Sequence, residues 1–381
     1  MDLVIHDLNR EEWEAYAQDY AGCTVVSQEG TIRPCVGCFA CWNRTPGVCV
    51  VKDGYEHMGE LIHRAGEVTV ISRCTYGGFS GFVKNVFDRC LGYVLPQFEI
   101  VGGETHHQKR YDEDKPFTFI FYGRPLTQAE KASAERYVAA VCANIRGHVK
   151  AVEFRVCPED DPAPPAPSAQ STGGTALLIG SMRGLRGNSR KLAEKLTERL
   201  TEKPELFTIQ SCMKDLDALV TKLSDAEKLV LCVPLYVDGL PSQVIRLLER
   251  FERNYRGGAK KVYVLANMGL YESGQLCNLF EAVRQFCARM GFVWCGGLGV
   301  SAGELVGVLM DHIPFRFGTT KNIAKGVDRL AAAVNAGQEM PVLYAEPFAF
   351  PRGLYIAIAN TNWNKTAKKN GLRPADLYRK L

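Results

Sequence analysis

The sequence predicts an α/β protein built from two tandem doubly wound parallel sheets, followed by a C-terminal helical extension. Three observations favour this fold: the chain has 381 residues, strand and helix patterns alternate in both halves, and one segment of the first half recurs in the second. At roughly 100–200 residues per domain, this length corresponds to two domains. Doubly wound sheets bind ligands beyond the carboxyl ends of their strands, so the loops that follow strands receive most weight below.

A proline-rich segment divides the chain. Residues 158–174 read PEDDPAPPAPSAQSTGG, with five prolines and little to bury, which predicts an extended linker. The predicted domains are then 1–157 and 175–340, and residues 341–381 form the extension.

Apolar, β-branched runs predict the strands of both halves. They lie at 3–6, 68–72, 117–122, 176–180, 229–234, 262–267 and 293–300. Helical patterns cover 189–200 and 243–251, and Thr127 with Glu130 has the spacing of a capping box.

An internal repeat links the two halves. The stretch VISRCTYGGFSGFVKNVFDR, which starts at Val70, is similar to VLCVPLYVDGLPSQVIRLLER, which starts at Val230. Aligning Tyr76 with Tyr236 gives an offset of 160, and one inserted residue then aligns Val83, Asp88 and Arg89 with Val244, Glu249 and Arg250. The repeat predicts one fold for both halves, arranged as an internal pseudo-dimer.

Net charge and hydropathy give no sign of a nucleic-acid-binding, secreted or membrane-spanning protein. The formal net charge of +4 gives no indication of a nucleic-acid or membrane partner. The N-terminus does not resemble a signal peptide, and no run of 18 apolar residues predicts a membrane span. We therefore expect a cytoplasmic protein, whose 14 cysteines are reduced thiols or metal ligands.

A glycine-rich loop opens the second half. After Gly180 the chain reads Ser181-Met182-Arg183-Gly184-Leu185-Arg186-Gly187-Asn188-Ser189 and enters a helix. Glycines let the backbone approach an anion, and the N–H groups at a helix start favour a phosphate. Arg183, Asn188 and the serine hydroxyls add donors, and no acid occurs in this helix before Glu194. The loop matches neither a Walker loop nor G-x-G-x-x-G, and a plain strand–helix turn is the alternative.

The pattern Gly-Ser-x-Arg-x-x-x-Gly-Asn-Ser resembles the FMN phosphate loop of the NAD(P)H-dependent FMN reductase family, within the flavodoxin-like superfamily. Two later segments resemble the loops that border the flavin ring in that family: Pro234, Leu235, Tyr236, Val237 and Asp238; and Asn267, Met268 and Gly269. The resemblance implies two flavodoxin-like units. It also implies that FMN is held by these two segments together with Ser181, Arg183, Gly187, Asn188 and Ser189.

A compact cysteine motif marks the first half. Cys35, Cys38, Cys41 and Cys49 form C-x2-C-x2-C-x7-C. Compact runs of this kind are typical of [4Fe-4S] ligation, whereas structural zinc more often uses two separated pairs. An iron–sulfur cluster, zinc and unliganded thiols remain open as alternatives. The segment also resembles the iron-sulfur flavoproteins, which implies a [4Fe-4S] cluster beside the FMN domain.

The first half lacks the phosphate loop. Its opening strand runs into Asp7, Asn9, Glu11 and Glu12, where Asn9 and Glu12 have the spacing of a capping box. A self-capped, acidic helix start would repel a phosphate. The sequence therefore predicts that the first half supplies the cluster and the second half supplies FMN.

Other residues carry weaker expectations. The polar segment that contains His106 and His107 predicts a solvated loop. We expect Cys74 to be a buried thiol. In the tail, a partly apolar face predicts docking on the protein body or on a partner subunit. That face comprises Tyr355, Ile358, Ala359 and Trp363. No residue is assigned as catalytic.

Together these features predict an FMN-dependent oxidoreductase. Electrons would pass from NAD(P)H, bound transiently, or from another donor, through FMN and a [4Fe-4S] cluster, to a small-molecule or protein acceptor. The alternatives are a non-enzymatic electron carrier, an FMN reductase without a cluster, and a flavin-binding scaffold with a zinc knuckle. The donor, the acceptor and any further homo-oligomer are not identified by the sequence.

Overall fold

The chain is organised around two parallel β-sheets, one in each of two units. The structure, a computed structural model, describes residues 1–30, 32–157, 173–184 and 187–381. The first unit is Met1–Asp161 with Ile356–Leu381, and the second is Pro162–Tyr355. Of the predicted linker, only Gly173 and Gly174 lie inside the described residues.

The first unit has a five-stranded sheet and a separate hairpin. Its strands are β1 (Leu3–His6), β2 (Thr24–Val26), β3 (Val68–Arg73), β4 (Val94–Val101), β5 (Glu104–Lys109), β6 (Pro116–Gly123) and β7 (His148–Val156). Its helices are α1 (Arg10–Glu14), α2 (Ala40–Asn43), α3 (Met58–Arg64), α4 (Gly81–Arg89) and α5 (Gln128–Ile145). The sheet has the order β2-β1-β3-β6-β7 with all neighbours parallel, whereas β4 and β5 pair only with each other and are antiparallel.

The second unit has a six-stranded sheet. Its strands are β8 (Thr175–Ile179), β9 (Glu205–Thr208), β10 (Lys228–Pro234), β11 (Lys261–Asn267), β12 (Val293–Val300) and β13 (Leu343–Ala345). Its helices are α6 (Asn188–Thr197), α7 (Ile209–Cys212), α8 (Leu216–Ser224), α9 (Ser242–Asn254), α10 (Cys277–Met290), α11 (Gly303–His312) and α12 (Lys321–Ala336). The last helix, α13 (Arg352–Lys369), starts in this unit. The order is β13-β12-β11-β10-β8-β9, again with all neighbours parallel.

Both sheets have the strand order of the flavodoxin-like fold. Numbered within its own sheet, each unit begins 2-1-3-4-5, which is the flavodoxin order. The first and third strands lie side by side in the middle of each sheet, and the chain reverses its winding direction there. This confirms the predicted fold class, and it places the ligand-binding edge at the loops after these strands.

The strands follow the predicted runs because they are buried on both faces. Every residue of β8 is buried, and the burial of β10 is complete from its second residue. Parallel strands covered by helices on both sides read as continuous apolar runs rather than as alternating patterns. The predicted strand 293–300 coincides with β12.

Local capping signals also produced the expected structures. In α1, Asn9 accepts from the N–H of Glu12 at 2.9 Å, and the Glu12 carboxylate accepts from the N–H of Asn9 at 2.7 Å. In α5, Thr127 and Glu130 form the second predicted capping box. Each box satisfies N–H groups that a helix start leaves without partners.

A buried lysine occupies the same position in both units. Lys115 precedes β6 and donates to the carbonyls of His63 and Ala65, at the end of α3. Lys260 precedes β11 and donates to the carbonyls of Ser224 and Ala226, at the end of α8. Lysine side chains near a helix C-terminus satisfy its last carbonyls and interact favourably with the helix dipole. The two units therefore share a side-chain contact as well as a strand order.

The solvated loop predicted around His106 and His107 is wrong. Both residues lie on β5 of the antiparallel hairpin, and His106 is 4% exposed and bonded to Asn144 at 2.7 Å. The His107 ring packs against Trp42 and Phe98, with centroids 4.6 and 4.8 Å away, and burial lowers the pKa of His107 to about 4. Polar composition misled the prediction because cross-strand pairing and aromatic contacts bury these rings.

The C-terminal helix packs on the first unit. Trp363 meets Phe39 and Trp42 edge to face at 5.6 and 5.3 Å, and Asn360 bonds both the N–H and the carbonyl of Phe98. The predicted docking of the tail on the protein body therefore holds for Trp363.

No helix in the described residues is long and apolar enough for a membrane crossing.

Candidate functional site

The loop after β8 begins at a position that only glycine can occupy. Gly180 continues the β8 backbone by donating to the carbonyl of Cys232. A Cβ there would lie 2.7 Å from methyl carbons of Val233 and of Val244. The close contact brings the start of the loop directly against β10 and α9, at the switch point of the sheet.

The start of α6 is left open by its own residues. Its N-cap is Gly187, which makes no side-chain cap, and its first turn carries no acidic residue. A Cβ on Gly187 would lie 3.1 Å from the Ser181 hydroxyl, so the two residues are closely packed at this point of the loop. Uncapped N–H groups and the positive end of the helix dipole suit an anion. Leu185 and Arg186, between these residues, lie outside the described residues.

Polar side chains of the loop are held in place. Ser181 is 3% exposed, and its hydroxyl accepts from the N–H of Arg183 at 3.2 Å. Ser189 is 2% exposed and donates to Oδ1 of Asn267 at 2.7 Å. The latter bond joins the first predicted FMN loop to the third, so the structure brings these two segments together.

The loop after β10 is a tight turn with unusual backbone angles. Tyr236 and Gly239 form an antiparallel bridge, with Val237 at φ 38° and Asp238 at φ 57° between them. A β-branched residue in the left-handed region is strained, and such strain is concentrated at functional sites. Leu235 and Tyr236 are only partly buried.

The loop after β11 completes the edge. The N–H of Leu235 donates to the carbonyl of Asn267 at 2.8 Å, so the second and third loops are in direct contact. The space beside Gly269 is open, since a Cβ there would meet nothing within 4 Å. The three predicted loops thus follow adjacent strands and are linked by hydrogen bonds.

A fourth loop, after β12, was missed by the sequence reasoning. Ser301 is fully buried, and its hydroxyl has no partner within the described residues. Ala302 has φ 49°, and Gly303 donates to the carbonyl of Met268 at 2.7 Å. The next residue, Glu304, pairs with Arg183 at 3.1 Å. The available signal was the Ser-Ala-Gly-Glu sequence directly after the predicted strand 293–300.

The corresponding position of the first unit is filled by the protein itself. Asp7 donates its N–H to Ile71, as Gly180 does to Cys232 in the second unit, so Asp7 stands where the other unit has glycine. Its carboxylate accepts from the N–H of Arg73 at 3.1 and 3.2 Å. Burial is the main cause that raises the pKa of Asp7. With the capping box of α1 beside it, this edge presents no uncapped helix start to an anion.

The predicted alignment of Tyr76 with Tyr236 is wrong by one residue. Thr75 and Gly78 form the bridge that corresponds to Tyr236 and Gly239, so the offset is 239 − 78 = 161. The same offset separates the first residues of α4 and α9, Gly81 and Ser242. No insertion is needed, and Thr75 occupies the position of Tyr236.

The four clustered cysteines form no disulfide and lie near one another. Cys38 is exposed and the other three are partly buried. Burial raises the pKa of Cys35 to about 12, and Asp88, Cys49 and Cys38 add to the effect. Burial is also the main cause that raises the pKa of Cys41, to which the other three cysteines contribute. Among the described residues, however, no three His, Cys, Asp or Glu side chains are grouped as a metal site. Electrostatic effects between thiols extend over longer distances than metal–ligand bonds. The thiols can therefore affect each other's pKa without being close enough, as arranged, to bind one cluster. Cys74, as expected, is a buried thiol.

Two buried guanidinium groups flank this segment. Arg89 pairs with Asp53 through both terminal nitrogens, at 2.9 and 3.0 Å, and also interacts with Cys49. Arg110 is 2% exposed, and its charge partly offsets the rise in the pKa of Cys41. It donates to the carbonyls of Gly92, Leu377 and Arg379 at 2.6–2.8 Å. These contacts hold the end of the chain beside the cysteines.

Comparison with known proteins gives the following. No protein-family model matches the chain, and no curated protein matches it. Among solved structures, it is similar to a Trp repressor binding protein from Bacillus subtilis, with 20% identity and a TM-score of 0.32, over 41% of this chain and 96% of that one. It is also similar to an azoreductase from Bacillus anthracis str. Sterne, with 13% identity and a TM-score of 0.23, over 57% of this chain and 99% of that one. The fold assignment rests on the strand order of the two sheets.

Proposed function

We propose that the protein is an FMN-dependent oxidoreductase whose second unit holds the flavin. The observation that carries this proposal is the hydrogen-bonded set of three loops after β8, β10 and β11, beside an uncapped helix start. Doubly wound sheets of this strand order bind ligands at the switch point between their first and third strands, which is where flavodoxin holds FMN. The uncapped start of α6 fits a ligand with many acceptors, and so does the buried hydroxyl of Ser301, which has no partner among the residues that the structure describes.

The residues have distinct roles in this proposal. Arg183, Asn188 and Ser189 hold the phosphate together with Ser181 and the N–H groups after Gly187. Pro234, Leu235, Tyr236, Val237 and Asp238 border one part of the isoalloxazine ring, and Asn267, Met268 and Gly269 border another. When bound, FMN accepts a hydride and releases single electrons. The chain itself positions the ring and stabilises the phosphate charge.

The electron donor is proposed to be NAD(P)H, which would bind transiently beside the flavin loops. Steady-state NAD(P)H oxidation with quinone or nitroaromatic acceptors tests this enzymatic role. Turnover with at least one acceptor is expected. A protein that binds FMN but shows no such turnover would instead be an electron carrier between proteins.

The iron–sulfur role of Cys35, Cys38, Cys41 and Cys49 stays a prediction that rests on their spacing. Because the thiols are not grouped as ligands here, no electron-transfer step is assigned to them. Anaerobic purification followed by iron, sulfide, zinc and flavin analysis decides the matter. About four irons and four sulfides per chain would establish the cluster, and flavin without iron would leave an FMN reductase with structural or zinc-bound cysteines.

A further inference from the structure

Each described cation at the start of α6 already has a carboxylate partner in the protein. Arg190 pairs with Glu194 within the helix at 2.7 Å. Two other pairs connect this region to α11. Arg183 bonds Glu304 at 3.1 Å, and Lys191 bonds Asp311 at 2.5 Å. Of these cations, Arg183 is the one that belongs to the phosphate loop itself.

The position of Glu304 is fixed by the third loop. Ala302 donates to the carbonyl of Leu270 at 2.8 Å, and Gly303 donates to that of Met268 at 2.7 Å. A Cβ on Gly303 would lie 3.0 Å from the Met268 carbonyl, so α11 starts in close contact with this loop. A side chain in the first turn of α11 therefore reaches Arg183 from a defined direction.

We infer that Glu304 is an internal anion that occupies Arg183 until a phosphate group displaces it. This inference rests on the proposed binding of FMN by the second unit. A phosphate that approaches the open start of α6 needs the Arg183 guanidinium, which binds oxyanions in a planar, bidentate manner. Glu304 holds that same guanidinium with a single carboxylate. The competition weakens the binding of flavins that carry a phosphate and leaves the binding of flavins without one unchanged.

The exchange is energetically accessible because the pair is exposed. The side chains of Arg183 and Glu304 are 34% and 53% exposed, and exposed pairs of this kind contribute little to stability. Once released, the Glu304 carboxylate remains at the positive end of the α11 dipole, which favours it there. The phosphate, with more negative charge and more acceptor atoms, is the stronger partner for Arg183.

Asp311 provides a matched control on the same helix. It lies seven residues after Glu304, about 10 Å along α11, and it also joins α11 to α6 through an ion pair. Asp311→Asn removes the same charge as Glu304→Gln but leaves Arg183 with its partner. At physiological salt, charges this far apart are largely screened.

The test is a double-mutant cycle on the full chain, with dissociation constants for FMN and for riboflavin measured by flavin fluorescence. Glu304→Gln is expected to tighten FMN binding about two- to fivefold, with riboflavin binding unchanged. In the Arg183→Ala background, Glu304→Gln should no longer affect FMN, and Asp311→Asn should have no effect in either background.

The outcomes separate the two proposals. If Glu304→Gln tightens FMN binding equally with and without Arg183, or tightens riboflavin binding as much as FMN binding, the competition is overturned while the FMN site stands. The same holds if Glu304→Gln leaves the FMN affinity unchanged. If the wild-type protein binds neither flavin, the proposed function is overturned, and the inference with it.

Discussion

The hydroxyl of Ser189 donates a hydrogen bond to Oδ1 of Asn267 at 2.7 Å, and so connects the first turn of α6 with the end of β11. Both residues belong to the predicted FMN site, and 78 positions of sequence separate them. The bond sets the distance between the proposed phosphate loop and a loop proposed to border the flavin ring, which makes Ser189 the most direct test of the site.

Ser189→Ala should weaken FMN binding about tenfold, because it removes the hydrogen bond to Asn267 that joins two of the proposed FMN loops. Equilibrium dialysis of FMN against the purified protein measures the change. Ser211→Ala is the control, since Ser211 lies on α7 and bonds Thr208 and its neighbour Cys212. Equal FMN retention in both variants would contradict the loop assignment.

The full chain should bind close to one FMN. Asp7 and the capping box of α1 occupy the equivalent edge of the first unit, so we expect no phosphate site at that edge. Asn9→Ala should lower the free energy of unfolding by about 1 kcal/mol and leave the FMN stoichiometry unchanged. Two FMN molecules per chain would show that the first unit binds flavin despite its acidic loop.

The buried side chain of Lys260 should stabilise the second unit. Lys260→Met removes two hydrogen bonds to carbonyls at the end of α8, and should lower the free energy of unfolding by about 1–3 kcal/mol. Burial lowers the pKa of Lys260 to about 8, so between pH 8 and 10.5 the unfolded chain holds more protons than the folded one. The contribution of Lys260 to wild-type stability therefore rises with pH in this range.

Denaturant unfolding of wild type and Lys260→Met at several pH values measures both effects. The gap between the two proteins should widen as the pH rises from 8 to 10.5. Lys115→Met is the matched variant of the first unit and should cost a similar free energy near neutral pH. A gap that narrows with pH would contradict the assigned direction of the pKa shift.

Acid should destabilise the first unit through His6. This ring is 2% exposed and stacks on Trp13 at 4.1 Å, and burial lowers the pKa of His6 to about 4. As the pH falls from 6.5 to 4, the unfolded chain gains a proton that folded His6 resists, so stability is lost in that window. His6→Phe should remove up to about 3 kcal/mol of this dependence.

The comparison needs an exposed histidine as its control. His312→Gln changes a side chain that meets solvent in the folded protein, and should leave the pH dependence of unfolding close to that of wild type. If His6→Phe loses as much stability between pH 6.5 and 4 as wild type does, His6 is not the group responsible.

The C-terminal helix should protect the cysteine segment. Trp363→Ala removes two edge-to-face contacts, with Phe39 and Trp42, each worth about 0.5–1.5 kcal/mol beyond the area buried. Hydrogen exchange of the backbone amides at 40–49 should become about tenfold faster or more. Ile358→Ala is the control, because Ile358 lies on the same helix and is 47% exposed; equal rates in both variants would contradict the role of Trp363.

Sequence patterns predicted the sheets well because buried parallel strands are continuous apolar runs, and β12 was predicted to the residue. They also located the capping boxes, which depend on residues three positions apart. The hairpin β4–β5 was missed because pairing between strands, not composition, buries His106 and His107. The part played by Glu304 was missed because its contact with Arg183 spans 121 positions, and only the folded sheet brings the two together.

The carboxylate of Asp7 has a consequence for how many electrons the chain can store. With FMN confined to the second unit, as proposed, the flavin of each chain takes up two electrons rather than four. A reductive titration of flavin absorbance should then end at one equivalent of a two-electron reductant per chain. On this proposal, the residue that follows the first strand, glycine in one unit and aspartate in the other, would set the flavin redox capacity of the whole chain.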